Sequence, residues 1–216
     1  MQAYPNLTVL QNRSVKALMT ILRNTSTNTA SFRFHANRVH RILVEEGVCV
    51  LPETQVSIST PCGIFQGIEY PKNICAVSIM RSGDSLLQAF MELYPDAPIG
   101  KVLIQRDETS SDKCAHFYYS KLPKGIENQF VFICDPMLAT GGSVCEMIRL
   151  LKEHGIPENH IIFLNVISAP QGIERVFSQY PDVRIVTCAV DEGLNDEKFI
   201  VPGLGDYGDR YFNTPN

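Results

Sequence analysis

The sequence of 216 residues lacks an apolar run of about 20 residues, so neither a membrane-spanning helix nor a secretory leader is expected. It also lacks an internal repeat and a Pro-, Gly-, Ser- or charge-rich linker, which predicts a single domain over residues 1–216. The seven cysteines contain no CxxC pair and, like the five histidines, do not cluster, so no structural zinc site is expected. Most cysteines fall inside apolar segments, which is typical of reduced thiols in a cytoplasmic protein.

The chain has little excess charge, with a net charge of −4. It therefore offers no general attraction to nucleic acid or to an anionic membrane, and neither partner is expected. The charge is uneven, because residues 1–41 contain six basic side chains and no acidic one. An organellar transit peptide has a similar composition. However, residues 31–46 place apolar side chains at helical spacing, which favours folded N-terminal helices within residues 1–50.

Short apolar runs alternate with amphipathic helical stretches through most of the chain. This alternation predicts an α/β fold with a parallel sheet flanked by helices. The predicted strands cover residues 74–80, 101–105, 130–134, 161–167 and 184–190, and the predicted helices cover residues 85–93, 143–154 and 171–178. Residues 107–120 lack a helical period and are predicted to form a mobile loop or a hairpin. The Gly-, Asp- and Pro-rich C-terminus is predicted to form an ordered cap.

One segment combines the features of a phosphate-binding turn: Asp135-Pro136-Met137-Leu138-Ala139-Thr140-Gly141-Gly142-Ser143. A buried strand ends in an acid, and a small-residue turn then enters a helix N-terminus, where backbone N–H groups are unpaired. Gly141 and Gly142 allow close approach of phosphate, while Asp135 is placed to accept hydrogen bonds from a sugar diol. The tetrapeptide from Thr140 to Ser143 could by itself be a turn with an N-cap. The acid and the strand before it favour phosphate binding, although no P-loop or dinucleotide fingerprint is present.

This segment resembles the phosphoribosyl pyrophosphate (PRPP) motif of the type I phosphoribosyltransferases, in the form found in uracil phosphoribosyltransferases. A second run, residues 200–212, resembles the uracil-recognition segment of the same family. The resemblance covers residues 31–213 and is strongest to eukaryotic and protozoal members. It implies the transfer of uracil to PRPP to give UMP and diphosphate, a step of pyrimidine salvage. It also implies a C-terminal hairpin hood over the base, formed by residues 191–216.

The resemblance carries site residues onto this sequence. PRPP would be bound by Arg81, Arg106, Asp206 and all nine residues from Asp135 to Ser143, and a guanidinium suits pyrophosphate because it binds its oxygens bidentately. Uracil would be bound by Ile200, Gly205, Asp206 and Tyr207, mainly through main-chain groups. Fixed backbone donors and acceptors can distinguish uracil from cytosine, because a mismatched buried group costs about 1–3 kcal/mol. Asp206, Arg106 and Asp135 are the expected catalytic residues.

The family uses Mg²⁺, and we expect substrate oxygens to supply most of its ligands. Residues 107–120 would close as a lid. The base that accepts the N1 proton is left open between Asp206, water and pyrophosphate, and His116 in the lid is expected to be solvated. The family forms dimers or higher oligomers, so a homodimer or homotetramer is expected. Some members are activated by GTP. Arg38 lies in a comparable helix, but the basic position before it is replaced here by Thr or Asn.

Two other functions are compatible with these motifs. A regulator that senses uracil or UMP, with or without binding to RNA, would keep the fold without turnover. The acidic balance argues against RNA, and the intact segment from Asp135 to Ser143 argues against lost catalysis. A phosphoribosyltransferase acting on a purine base or on orotate would share the PRPP motif.

Overall fold

The computed structural model describes residues 4–106 and 115–214, without the side chains of residues 105, 106, 115 and 116. The strands are β1 (Leu7–Val9), β2 (Thr54–Thr60), β3 (Gly63–Glu69), β4 (Ile74–Met80), β5 (Ile99–Arg106), β6 (Ala115–Lys121), β7 (Phe130–Cys134), β8 (Met137–Leu138), β9 (Ile161–Asn165), β10 (Ile167–Ser168), β11 (Arg184–Thr187), β12 (Gly193–Leu194) and β13 (Ile200–Val201). The α-helices are α1 (Arg13–Arg23), α2 (Thr29–Val48), α3 (Gly83–Leu93), α4 (Gly142–Glu153), α5 (Pro170–Gln179) and α6 (Tyr207–Phe212). None of the described helices is long and apolar enough to cross a membrane.

Seven strands form the central sheet in the order β1-β11-β9-β7-β4-β5-β6. Neighbouring strands run parallel, except that the edge strand β6 runs antiparallel to β5. Three two-stranded sheets accompany it, formed by β2 with β3, β8 with β10, and β12 with β13. The carboxyl ends of β4, β5 and β7 therefore meet at one edge, where open α/β sheets bind ligands.

The central strands are buried on both faces, as continuous apolar runs predict. In β4, Ile74 and Ala76 point into one core, while Cys75, Val77 and Ile79 point into the other. Buried side chains of α1, α2, α3 and α6 complete the first core, and those of α4 and α5 complete the second. This two-sided burial confirms the predicted α/β class with helices on both faces of the sheet.

The predicted helices are confirmed with boundaries that shift by no more than two residues. The basic N-terminal region folds as α1 and α2, each of which begins at an asparagine that caps the helix: Asn12 accepts from the N–H of Val15, and Asn28 from that of Ser31. Four of the six described cysteines are buried and all six are free, which agrees with their placement in apolar segments. The six basic side chains of residues 13–41 lie in the folded helices α1 and α2.

Two predicted strands are too long. The strand predicted over 161–167 stops at Asn165, because the N–H groups of Val166 and Ile167 both donate to the carbonyl of Pro136 and draw the chain towards β8. The strand predicted over 184–190 stops at Thr187, and Val190 forms only an isolated bridge with Ser168. Apolar composition does not reveal where such a strand leaves the sheet.

The sequence analysis did not predict strand β1 or the hairpin of β2 and β3. Strand β1 adds the outer edge beside β11. Strands β2 and β3 form an antiparallel hairpin that stands apart from the central sheet and exposes Ile58, Ile64, Phe65 and Ile68. The segment predicted as a loop or hairpin over 107–120 is a hairpin strand from Ala115 onward, paired with β5. Residues 107–114, most of the predicted lid, lie outside the described residues.

Candidate functional site

A cleft of about 920 Å³ opens at the carboxyl ends of the central strands. The two segments singled out in the sequence both line it, although 57 or more residues separate them in the chain: Asp135, Met137, Ala139 and Ser143 from one, and Ile200, Gly205, Asp206 and Tyr207 from the other. Met80, Arg81 and Ser82 form a further part of the wall. The predicted phosphate and base segments therefore face a common space.

The predicted phosphate segment is a strand-turn-helix unit. Strand β7 ends at Cys134, and α4 begins at Gly142 after an N-cap at Gly141. Gly141 has a left-handed backbone with φ 78°, and a Cβ there would lie 3.1 Å from the carbonyl of Gly172. A glycine is thus favoured on both counts. The first N–H groups of a twelve-residue helix have no intrahelical partner and can bind an anion at the cleft.

Only some residues of this unit line the cleft. Pro136, Leu138, Thr140, Gly141 and Gly142 belong to the turn but are not among the residues that line the cleft. Leu138 is buried in the second core. The side chain of Asp135 lies at the cleft, where one carboxylate oxygen accepts from the hydroxyl of Ser82 at 3.2 Å. Asp135 therefore links the end of β7 to the loop that follows β4.

The loop after β4 is pressed against the end of β7. A Cβ on Gly83, the first residue of α3, would lie 2.2 Å from the carbonyl oxygen of Cys134, so only glycine fits. Beside it, Asp84 accepts a hydrogen bond from the hydroxyl of Ser78 at 2.7 Å and pairs with Lys101 at 3.1 Å. The Met80–Arg81 peptide bond is cis.

Arg81 lines the cleft and also contacts the C-terminal helix. Its guanidinium donates to Asp209 at 2.7 Å and to the hydroxyl of Thr214 at 2.8 Å, and it lies over the ring of Phe212. The hydrogen bond from Arg81, followed by that from Thr214, lowers the pKa of Asp209. Arg81 thus joins the loop after β4 to α6. Arg106 ends β5, and its side chain lies outside the described residues, but Ile104 of the same strand lines the cleft.

The predicted base segment forms a tight turn after β13. Gly203 and Gly205 have left-handed backbones with φ 62° and 80°, and a Cβ on Gly203 would lie 2.0 Å from the carbonyl oxygen of Ile200. The Val201–Pro202 peptide bond is cis. Asp206 lines the cleft and caps α6, with its carboxylate accepting from the N–H of Asp209 at 2.8 Å. The turn therefore approaches the cleft with main-chain groups and one carboxylate.

The side chain of Tyr207 points away from solvent and is only 1% exposed. Its hydroxyl is 2.6 Å from Nε2 of His40, and its ring packs edge-on against Phe32. Burial raises the pKa of Tyr207 well above its usual value, and burial lowers the pKa of His40 to about 3 against a smaller opposing effect from a backbone group of Ser85. His40 is thus neutral, and its Nε2 can accept a hydrogen bond from the Tyr207 hydroxyl. Tyr207 can offer a ligand only its main chain.

Comparison with known proteins shows the family of this chain. The family model for uracil phosphoribosyltransferase matches residues 9–214. The chain belongs to the uracil phosphoribosyltransferase family. It is 42% identical over 215 residues to the uracil phosphoribosyltransferase of Dictyostelium discoideum, covering 98% of this chain and 99% of that protein. It is 44% identical over 205 residues to uracil phosphoribosyltransferase 1 of Schizosaccharomyces pombe, covering 94% and 93%.

Solved structures extend the comparison to the fold. The AQ2163 protein from Aquifex aeolicus superposes with a TM-score of 0.83 at 30% identity, covering 96% of this chain and 98% of the other. The adenine phosphoribosyltransferase of Leishmania donovani superposes with a TM-score of 0.58 at 13% identity, covering 92% and 89%. This second likeness concerns the fold alone, and it confirms the predicted phosphoribosyltransferase-like sheet.

Several residues around the site carry no signal in the sequence. His40 and Arg23 lie in the two N-terminal helices, whose pattern indicates only amphipathic packing. Asp191 and Asp209 lie within Asp- and Gly-rich segments that predict turns. Each forms a hydrogen bond with a residue more than 100 positions away, which local spacing does not predict. Lys198 and Phe199 line the cleft and were likewise missed.

Proposed function

We propose that this member of the uracil phosphoribosyltransferase family catalyses the formation of UMP and diphosphate from uracil and PRPP, in pyrimidine salvage. One observation carries the proposal: a phosphate-type strand-turn-helix unit and a glycine-rich base-type turn line a common cleft. No contact among the described residues favours the alternative function, a regulator that senses uracil or UMP without turnover. The family match, over residues 9–214, favours uracil over a purine or orotate as the base.

In this reaction, N1 of uracil forms a bond to C1 of the ribose, and the bond from C1 to the pyrophosphate oxygen breaks. The transition state has oxocarbenium character, so the protein contributes positioning and charge stabilisation. We assign the 5′-phosphate to the N–H groups at the start of α4 and the ribose hydroxyls to Asp135. The N1 proton leaves to one of three acceptors, namely Asp206, water or the departing pyrophosphate.

We assign the pyrophosphate to Arg81 and Arg106. Arg81 reaches the cleft with a guanidinium that has five N–H donors, so hydrogen bonds to Asp209 and Thr214 leave donors for pyrophosphate oxygens. An arginine stays protonated at any working pH, so this interaction does not titrate away. Because Asp209 is two residues from Tyr207, the hydrogen bond between Arg81 and Asp209 brings the loop after β4 next to the base segment.

We propose Mg²⁺ as the cofactor, held mainly by substrate oxygens. The described residues contain no group of three or more His, Cys, Asp or Glu side chains that could hold a metal. The cleft nevertheless offers the separate carboxylates of Asp135 and Asp206. Such a donor set suits Mg²⁺, which keeps several waters and binds through one or two carboxylates plus phosphates. When bound, the ion would neutralise charge on the pyrophosphate.

We propose that the protein is a homodimer or homotetramer. The hairpin of β2 and β3 supports this, because it projects four large apolar side chains, between 46% and 69% exposed, that no described element covers. Light scattering on the protein and on an Ile64→Lys, Phe65→Lys double variant tests it, and a monomeric mass for the natural chain contradicts it.

We also propose a cytoplasmic location, supported by the free thiols. Arg38 is exposed on α2, so UMP formation from uracil measured with and without GTP tests whether GTP is an effector.

The test is an assay with PRPP and Mg²⁺ and each of uracil, uridine, cytosine, hypoxanthine and orotate. We expect UMP and diphosphate from uracil alone. Asp206→Asn and Arg106→Gln variants should lose turnover while keeping the circular dichroism spectrum of the natural protein. Binding of uracil without UMP formation would contradict the enzyme and support the regulator. Nucleotide formation from hypoxanthine or orotate would contradict the assigned base.

A further inference from the structure

In the base turn, residues 200–206, both main-chain polar groups of Gly203 are held by a largely buried ion pair. The N–H of Gly203 donates to Oδ2 of Asp191 at 2.7 Å, and the carbonyl of Gly203 accepts from Nη1 of Arg23 at 2.9 Å. Arg23 and Asp191 are themselves joined by two hydrogen bonds of 2.6 and 2.7 Å. The three residues form a closed triangle in which Gly203 cannot rotate without breaking a charge-assisted bond.

The ion pair is shielded from water. The side chain of Asp191 is 5% exposed and that of Arg23 is 26% exposed. A charge in such a place is strongly destabilising when its partner is removed, because it stays buried and unpaired. The pair therefore holds a defined geometry, unlike the exposed ion pairs on the surface of α4.

The next residue of the turn is held by the same region of the fold. The carbonyl of Leu204 accepts from Nη1 of Arg210 at 2.7 Å, and Nη2 of Arg210 donates to the carbonyl of Asn24 at 2.8 Å. Nη1 of Arg210 also donates to the carbonyl of Leu22. The last carbonyls of a helix have no intrahelical partner, so Arg210 satisfies the end of α1 while attaching it to the turn. The end of α1 thus contacts two consecutive residues of the turn.

We propose that Arg23 and Asp191 are positioning residues for uracil, which set the orientation of the main-chain groups that the base contacts. The inference rests on the proposed function, because it takes the residues around Gly203 as the base site. Gly203 stands between Ile200 and Gly205, both of which line the cleft. Neither Arg23 nor Asp191 lines that cleft, so they act through Gly203 and not on the substrate.

Recognition of uracil by main-chain groups makes its binding sensitive to the conformation of the base turn. A base read by backbone donors and acceptors depends on the φ and ψ angles of the turn, because no flexible side chain can correct an error in direction. A hydrogen bond weakens steeply as its angle closes below about 120°. Without the ion pair, the protein would still bind PRPP at the start of α4, but the base turn would present misaligned groups to uracil.

The test compares the variants Asp191→Asn and Arg23→Lys with the natural protein in steady-state assays with Mg²⁺. Asp191→Asn keeps the size of the side chain but removes the charge, and we expect the KM for uracil to rise about tenfold or more, the loss expected for one misaligned hydrogen bond. Arg23→Lys keeps a cation but not the fork of donors, so we expect a smaller rise of about threefold. The KM for PRPP should change less than about twofold in both variants.

Arg184→Gln is the matched control, because Arg184 is also a half-buried arginine that donates to a carbonyl, that of Val50, but lies at the start of β11. We expect its KM for uracil to equal that of the natural protein. Folded Asp191→Asn and Arg23→Lys variants with an unchanged KM for uracil would overturn the positioning role. Equal rises in KM for uracil and for PRPP would overturn it too. If Asp191→Asn does not fold, Arg23→Lys alone decides. Absence of UMP formation by the natural protein would instead overturn the proposed function.

Discussion

The two turns that line the cleft are built in different ways. The phosphate turn, residues 135–143, belongs to a unit in which β7, the turn and α4 follow one another directly in the chain, and main-chain hydrogen bonds from residues 166–169 support it. The base turn, residues 200–206, obtains its geometry from distant residues. Its Gly203 is bonded to Arg23 across 180 positions of sequence, and Tyr207, which follows the turn, is bonded to His40 across 167.

This difference teaches where each turn is vulnerable. A strand followed by a helix has few ways to place its connecting residues, and the distant partners of the phosphate turn are mostly main-chain groups, which substitutions do not remove. The base turn contains almost no regular structure and is surrounded by side chains from α1, α2 and α6. Substitutions far from the cleft should therefore affect uracil binding more than phosphate binding.

The largest effect is expected from Gly203→Ala. The added Cβ would lie 2.0 Å from the carbonyl oxygen of Ile200, and the residue would keep a strained positive φ. Strain of this kind costs on the order of 1–3 kcal/mol before the clash is counted. We expect kcat/KM for uracil to fall about 100-fold or more in steady-state assays, with PRPP binding much less affected. A variant with activity near that of the natural chain would show that the turn is not rigid.

Gly141→Ala should have a smaller effect, confined to the phosphate side. Its φ is 78°, but the closest atom to an added Cβ is 3.1 Å away. We expect a loss of about 1–2 kcal/mol in the free energy of unfolding from the left-handed backbone, and a higher KM for PRPP. Gly125→Ala is the control, because Gly125 has φ 74° with nothing within 4 Å of an added Cβ. It should lose similar stability in urea melts and keep both KM values. An equal change in KM for PRPP in both variants would contradict this account.

Acid should reveal the contact between His40 and Tyr207. The pKa of His40 is about 3 in the folded protein and about 6.5 in the unfolded chain, so only the unfolded chain takes up this proton as the pH falls below 6.5. The free energy of unfolding should therefore decrease between pH 7 and pH 5, by about 2 kcal/mol from this group. The variant His40→Gln lacks the titration, so its urea-measured loss over the same range should be smaller by that amount. Parallel pH profiles for the two proteins would contradict the burial of a neutral His40.

The smallest effect is expected from Arg149→Gln on the outer surface of α4. Arg149 is half exposed and pairs with Glu146 and Glu153 along the same helix. Exposed pairs of this kind contribute about 0–1 kcal/mol. We expect less than about 0.5 kcal/mol in urea melts and unchanged KM values for both substrates. A large change in the KM for PRPP would show that the phosphate turn also depends on the ion pairs of Arg149 on the outer surface of α4.

Local pattern was sufficient for the sheet class and for most helices. Continuous apolar runs such as β4 and β7 predict strands buried on both faces, and the amphipathic pattern predicts α3, α4 and α5. It was insufficient where the chain leaves the sheet, as at Val166, because that point depends on hydrogen bonds to Pro136 in another segment. The hairpin of β2 and β3 was missed because its exposed residues form no buried face, which is the usual signal of a strand.

By itself, the sequence determined the strand-turn-helix unit from β7 to α4, the two glycine-rich turns and, through their resemblance, the family. These features are local, since neighbouring residues constrain each other through backbone geometry. Only the tertiary structure decided that both turns meet at one cleft, that Arg81 bonds to Asp209 and that Arg23, Asp191 and His40 support the base segment. Except for the bond of Asp191 with Gly203, these contacts join residues more than 100 positions apart, and their formation depends on how the two cores pack against the sheet.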